Sequence, residues 1–204
     1  MVLFAHSPLS RVKQGIYSGV IKFMTSIQTK SSQIQAGSIS MLGEDSRKER
    51  REAAQKYQQY VGFILDEQEY AIPIEKIQEI VLYNGVTRLP QVPAFVEGVT
   101  NLRGNIIPIL NLRIILGMQN REINQDTRVV VVHVQKKTVG LIVDSVTQVK
   151  KINPNEVQSP ESAIAMGTSN HIAGLTKEND HLLILLDIEK MMQSSNVNEA
   201  LKQG

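Results

Sequence analysis

Residues 92–116 read VPAFVEGVTNLRGNIIPILNLRIIL. Two apolar runs flank the polar turn Asn101-Leu102-Arg103-Gly104. Gly104 supplies the positive φ that a tight turn requires, so the stretch reads as a β-hairpin with strands over 95–100 and 105–111. Arg103 stands at its tip between Asn101 and Asn105. A rigid turn there either holds a guanidinium ready for a partner or leaves it in water. Pro108 has no amide donor, so its strand is expected at an edge, or bulged at that point. A helical turn over 112–116 closes the stretch, and Gly117 stops it.

The same reading extends in both directions. Upstream, 61–65 and 70–73 form a hairpin around Asp66-Glu67-Gln68. Pro73 then opens a short helix over 74–80, with Ile74, Ile77 and Val81 on one face. Residues 85–89 read as a further strand, and 92–95 as a proline-bounded turn. Downstream, 120–126 is a polar connector. Thr127 to Val134 is almost all valine, as suits a strand buried on both faces. Gln135-Lys136-Lys137 turns the chain, and 138–149 returns as one long strand in which Gly140 marks a bulge or a close approach. Residues 153–160 are turn-rich and 163–170 are loop. A last hairpin, 171–177 with 181–186, surrounds Glu178-Asn179-Asp180. Asp187 caps a short helix over 188–192. Nine or ten short, evenly spaced strands with fragments of helix indicate an all-β fold of small barrels rather than a parallel α/β sheet.

Composition narrows the function. With 204 residues the chain is large enough for one or two small domains. It has no Cys, which excludes disulfides and thiolate chemistry. No 18 consecutive residues are apolar, so no segment reads as a membrane-spanning helix. The formal charge of +2 hides an asymmetry: residues 1–58 hold 9 Lys/Arg against 4 Asp/Glu, and residues 59–192 hold 12 against 15. A mildly acidic domain lacks the clustered Lys/Arg that phosphates demand, which disfavours a nucleic-acid or ligand-binding barrel.

The segment 1–58 reads as a basic N-terminal extension, disordered or partly helical. Leu9, Val12, Ile16, Val20, Phe23 and Ile27 share one helical face, so a helix lying on anionic membrane stays open beside a disordered extension or initiation at Met24. Residues 193–204 read as a frayed tail.

No catalytic set emerges. His6, His133, His171 and His181 show no metal-ligand spacing, although His171 and His181 flank one hairpin and can face each other. There is no nucleophile elbow and no phosphate loop. No enzyme, no cofactor and no metal are expected.

The motif around Arg103 adds a specific signal. Pro93-Ala94-Phe95, Gly98-Val99-Thr100-Asn101-Leu102-Arg103-Gly104, Ile107-Pro108 and Leu112-Arg113 closely resemble the CheW family of chemotaxis coupling proteins. The resemblance runs from about Tyr60 to Met192. It takes in Glu69-Tyr70, Gln78-Glu79-Ile80, Val86-Thr87-Arg88, Val139-Gly140, Val143-Asp144, Gly174, Leu183-Ile184-Leu185 and Ile188-Glu189-Lys190. It implies two five-stranded SH3-like β-barrels packed side by side over residues 59–192. It also implies a non-enzymatic cytoplasmic adaptor at receptor arrays on the inner face of the membrane. Such an adaptor couples methyl-accepting chemotaxis receptors to the regulatory domain of the histidine kinase CheA, with no nucleic acid and no small-molecule substrate. The same fold serves type IV pilus twitching and other non-flagellar pathways. By matching positions the receptor-binding residues are Ile77, Glu79, Arg103, Ile106, Gly140 and Val149, with Glu79 and Arg103 as an ion pair. The kinase-binding residues are Gly98, Val99 and Val129.

Glu97 stands where some relatives carry lysine. If that edge meets a kinase, Glu97→Lys shifts the order of affinities across several kinase regulatory domains measured by calorimetry; an unchanged order counts against use of that edge.

Overall fold

The computed structural model describes residues 57–160, 171–178 and 181–201. The readings made above for the basic extension before residue 57 and for 163–170 fall outside these residues. Ten strands form two five-stranded sheets. The first comprises β1 (Gln58–Leu65), β2 (Gln68–Pro73), β8 (Ser145–Ile152), β9 (Ile172–Glu178) and β10 (His181–Leu186), in the order β8-β1-β2-β10-β9. The second comprises β3 (Ile77–Leu82), β4 (Val96–Leu102), β5 (Asn105–Asn111), β6 (Arg128–Val134) and β7 (Lys137–Val143), in the order β3-β6-β7-β5-β4. The fold is all-β, as expected from the strand pattern.

Neither sheet closes into a barrel by a continuous ladder. Each curls until one edge strand meets the segment that follows the other through one isolated bridge: Val99 of β4 with Thr87, beyond β3, in the second sheet, and Leu175 of β9 with Gln158, beyond β8, in the first. The expected strand over 85–89 is therefore a single bridge, with Thr87 N donating to Val99 O at 2.8 Å and Val99 N to Thr87 O at 2.9 Å. Val99 spends both backbone groups on Thr87. Its pairing with Pro108 is thus a non-hydrogen-bonded one, and β4 makes no demand on the amide that Pro108 lacks. This tolerates a proline in β5, which lies inside the sheet rather than at its edge. The irregularity sits on β4, between Val96 and Gly98.

The hairpins match the expectation closely. Their turns are two-residue loops with left-handed backbone, Asp66-Glu67, Arg103-Gly104 and Gln135-Lys136, whose twist suits the flanking strands. At the β4–β5 turn Asn101 Oδ1 accepts from Gly104 N at 2.8 Å.

Three elements differ. Residues 77–82 form strand β3, and only Ile74–Lys76 is a 3₁₀ helix. The three-and-four spacing of Ile74, Ile77 and Val81 imitates a helix, but pairing with the valine strand β6 prevails. Residues 138–149 are two strands, not one: β7 and β8 belong to different sheets and meet at Asp144. The tail is also not frayed as far as residue 201. After α1 (Leu112–Ile115) and α2 (Ile188–Gln193) comes α3 (Ser195–Ala200), whose Val197 is buried. No helix among the described residues is long and apolar enough to cross a membrane.

The two halves repeat one design at a fixed sequence offset. A bulge precedes Gly98 in β4 and Gly174 in β9. Asn111 and Asp187 end the next strands, cap α1 and α2, and donate their amides to Phe95 O and His171 O at 2.7 and 2.8 Å. Val129 and Val131 pack with Ile107, Ile109 and Ile142 inside the curl of the second sheet. The alternate residues Val130 and Val132 are buried as well. Tyr60, Ala71, Leu183 and Leu185 fill the first sheet.

Gly98 makes the edge bridge possible. Its φ is +151°, and a Cβ there lies 2.4 Å from the Thr87 carbonyl oxygen. Gly98→Ala is expected to open the Thr87–Val99 bridge at a cost of about 2 kcal/mol in chemical denaturation. Amide exchange at Thr87 and Val99 should accelerate with it.

Candidate functional site

Arg103 and Glu79 meet. Arg103 NH2 lies 3.0 Å from Glu79 Oε2, the arginine exposed and the carboxylate half-buried. Glu79 is on β3, one edge of the second sheet, and Arg103 is in the turn beside β4, the other edge. The pair is therefore a second consequence of the curl. Edge strands at opposite ends of the ladder are brought close enough for an ion pair. The first sheet has its own edge-to-edge pairing, between Lys150 of β8 and Glu178 at the end of β9. Lys150 also lies 3.1 Å from Glu69, which accepts from Thr147 Oγ1 at 2.7 Å.

The other predicted residues separate into surface and interior. Ile106, beside the turn, is 74% exposed. Ile106 and Val99 both line a groove of about 550 Å³ with Leu89, Val92, Pro108 and Leu201. Val149 is half-buried on β8, in the other sheet. Ile77, Gly98, Val129 and Gly140 are buried. Gly140 is an interior packing position without a bulge: a Cβ there meets Ile109 Cδ1 at 2.5 Å and Val129 Cγ1 at 2.6 Å. These four residues present no side chain to the surface. Glu97 sits in the β4 bulge, 3.7 Å from Arg88.

One cluster was not foreseen. Arg113, on α1, is buried and bonds to Asp144 and Asp66. The available signal was its position between Leu112 and Ile114 in an apolar run, where a charge needs partners.

No group of three or more Asp, Glu or His with metal-binding geometry occurs among the described residues. His171 and His181 do not face each other. His171 lies beside Asp187, and His181 pairs with Glu178 at the opposite end of the hairpin. His133 is exposed, with Nδ1 3.0 Å from Thr138 Oγ1.

The architecture defines an all-β module of two curled sheets that presents an apolar groove beside an ion-paired turn. The model of the CheW-like domain family matches residues 59–196. The chemotaxis protein CheW of Klebsiella aerogenes is 38% identical over 141 residues, covering 69% of this chain and 84% of that protein. The chemotaxis protein CheW of Helicobacter pylori is 35% identical over 150 residues, covering 74% and 90%. The crystal structure of the scaffolding protein TtCheW from Thermoanaerobacter tengcongensis superposes with a TM-score of 0.63 at 30% identity, covering 69% of this chain and 95% of that one. The chain belongs to the CheW-like family.

Burial lowers the pKa of His171 below its ordinary 6.5, against the smaller opposing pull of Asp187, and its Nδ1 finds no hydrogen-bond partner. The unfolded chain then takes up the proton first. Stability due to a neutral His171 is complete above about pH 6.5 and falls as pH drops below it. Thermal melts should show Tm declining below that pH, and His171→Gln should flatten this part of the profile.

Proposed function

We propose that the chain is a non-enzymatic adaptor of chemosensory signalling, coupling methyl-accepting receptors to a CheA-type histidine kinase. The observation that carries the reading is the surface around the β4–β5 turn: an exposed Ile106 and an apolar groove lie beside the Glu79–Arg103 pair. Apolar grooves supply affinity and a few placed charges supply register, which is the division of labour at protein–protein interfaces. Family membership across the whole two-sheet unit supports the same reading, since the relatives named above are chemotaxis and scaffolding proteins.

In this reading the receptor tip is taken by Arg103, Ile106 and Glu79, with Ile77 and Gly140 shaping those strands from beneath and Val149 contributing from the first sheet. The kinase regulatory domain is taken by the β4 face of the groove at Val99, held in form by Gly98 and Val129. The adaptor domain is residues 59–192, with α3 packed after it. It acts in the cytoplasm at receptor arrays, reaching the membrane through its receptors.

An ion pair with its arginine exposed contributes about 1 kcal/mol or less to stability, so losing it leaves the fold intact. Arg103→Glu should weaken receptor-tip binding at least about tenfold with little change in Tm, and Val99→Asp should do the same for the kinase regulatory domain. Calorimetric titration of the full chain with each partner measures both. Saturable binding that neither substitution weakens sinks the site assignment, and no binding by the folded wild type sinks the adaptor reading.

A further inference from the structure

The chain passes between the sheets twice, at the 3₁₀ turn Ile74–Lys76 and at the single residue Asp144. Each crossing carries an ion pair. At the first, Lys76 meets Glu189 of α2, with side chains 33% and 49% exposed. Solvent screens that pair, and its grip is weak. The second is different in kind. The Arg113 side chain is 8% exposed. Its NH1 donates to Asp144 Oδ2 at 2.7 Å, its NH2 to Asp66 Oδ1 at 2.8 Å, and its Nε to Gln119 O at 2.8 Å. Asp66 is in the β1–β2 turn of the first sheet, Gln119 follows α1 of the second, and Asp144 is the crossing itself. Two further bonds tie the crossing to the first sheet: Asp66 N donates to Asp144 Oδ2 at 3.1 Å, and Asp144 N donates to Ile64 O at 3.1 Å.

We propose that Arg113 is the pin that fixes the angle between the two sheets. A guanidinium is planar and its donors are set in a rigid fork, so bonding three groups at once fixes their mutual direction as well as their distance. Stability alone is a poor reason for such a group, because desolvation of a buried ion pair offsets much of its attraction. What a buried fork supplies is one geometry. The two crossings are short. Among the ionic contacts at these crossings, only this one has a buried cation that bonds three groups at once, with its Asp66 end open to solvent. It follows, on the adaptor reading above, that partners meeting residues of both sheets, such as Arg103 and Val149, see one pre-set surface.

The test is a distance measurement. The chain has no Cys, so spin labels at Leu82→Cys on β3 and Lys151→Cys on β8, both exposed, report one inter-sheet distance in the full-length protein. Arg113→Met keeps length and apolar bulk but removes the fork, and it is expected to broaden the distance distribution at least twofold with strand content by circular dichroism unchanged. Arg113→Lys, a charge without a fork, should broaden it to a lesser degree. Arg121→Ala removes a more exposed partner of Asp144 at 3.4 Å and should leave it as it is. If Arg113→Met fails to fold, Asp66→Ala, which strips only the exposed end of the fork, should still broaden the distribution. A distribution as narrow as the wild type in folded Arg113→Met, or in Asp66→Ala, overturns the proposal. Receptor-tip titration separates the two layers. Broadening with unchanged receptor affinity overturns the link to recognition while the pin stands. No binding by the wild type fails the adaptor reading, and the distance result still decides the pin.

Discussion

In each sheet one edge strand is joined to the segment leaving the other by a single pair of backbone hydrogen bonds. That constraint organises the rest. An unpaired strand edge is an invitation to any other chain. Here the curl stops short of closure. One bridge and one ion pair span the gap in the second sheet, and a bridge and a lysine–glutamate pair span it in the first. Everything unusual nearby serves the close approach: the bulge before Gly98, the absent side chain at Gly98 itself, the proline in β5 opposite a strand whose amide has gone elsewhere. The charged turn and the apolar groove are by-products of where the curl ends.

The hairpin core of the fold was legible because its signals are local. Gly104 fixes a turn, alternation fixes the strands beside it, Asp187 reads as a cap, and a run of valines excludes a half-exposed strand. What the sequence concealed is tertiary. Ile77 to Leu82 carry a helical spacing and become a strand because β6 offers them a partner. In 138–149 the one signal of a break is Asp144, a residue depleted in strands, but the good strand formers on both sides of it hide that the chain changes sheets there. The last helix survives on one buried valine, a margin too small to read from composition.

The site divides the same way. Glu79 and Arg103 were expected as a pair from the resemblance, and they are one, although Glu79 was read on a helix and lies instead within β3, which the curl brings toward the β4–β5 turn. Ile106 and Val99 lie on the open groove. Gly140, Val129 and Gly98 turn out to be interior, which matching positions to a family motif does not reveal. Arg113 shows the converse. A residue inside an apolar run, with no obvious partner nearby in sequence, joins groups from three parts of the chain.

The interleaving of the chain has a consequence for how the molecule is made. The second sheet is continuous in sequence from β3 to β7, so all its pairings are in hand once residue 143 has been synthesised. The first sheet is not. Its opening hairpin must wait for β8, and then for β9 and β10, before it has neighbours on either side. During synthesis one half of the protein therefore matures while the other holds a lone two-stranded ribbon, marginal in water by itself. The late step is a high-contact-order closure between the two ends of the folded unit, the kind that sets a folding rate. Any translational stall between β7 and β10 leaves a finished sheet tethered to an unfinished one, which is the species a chaperone would meet.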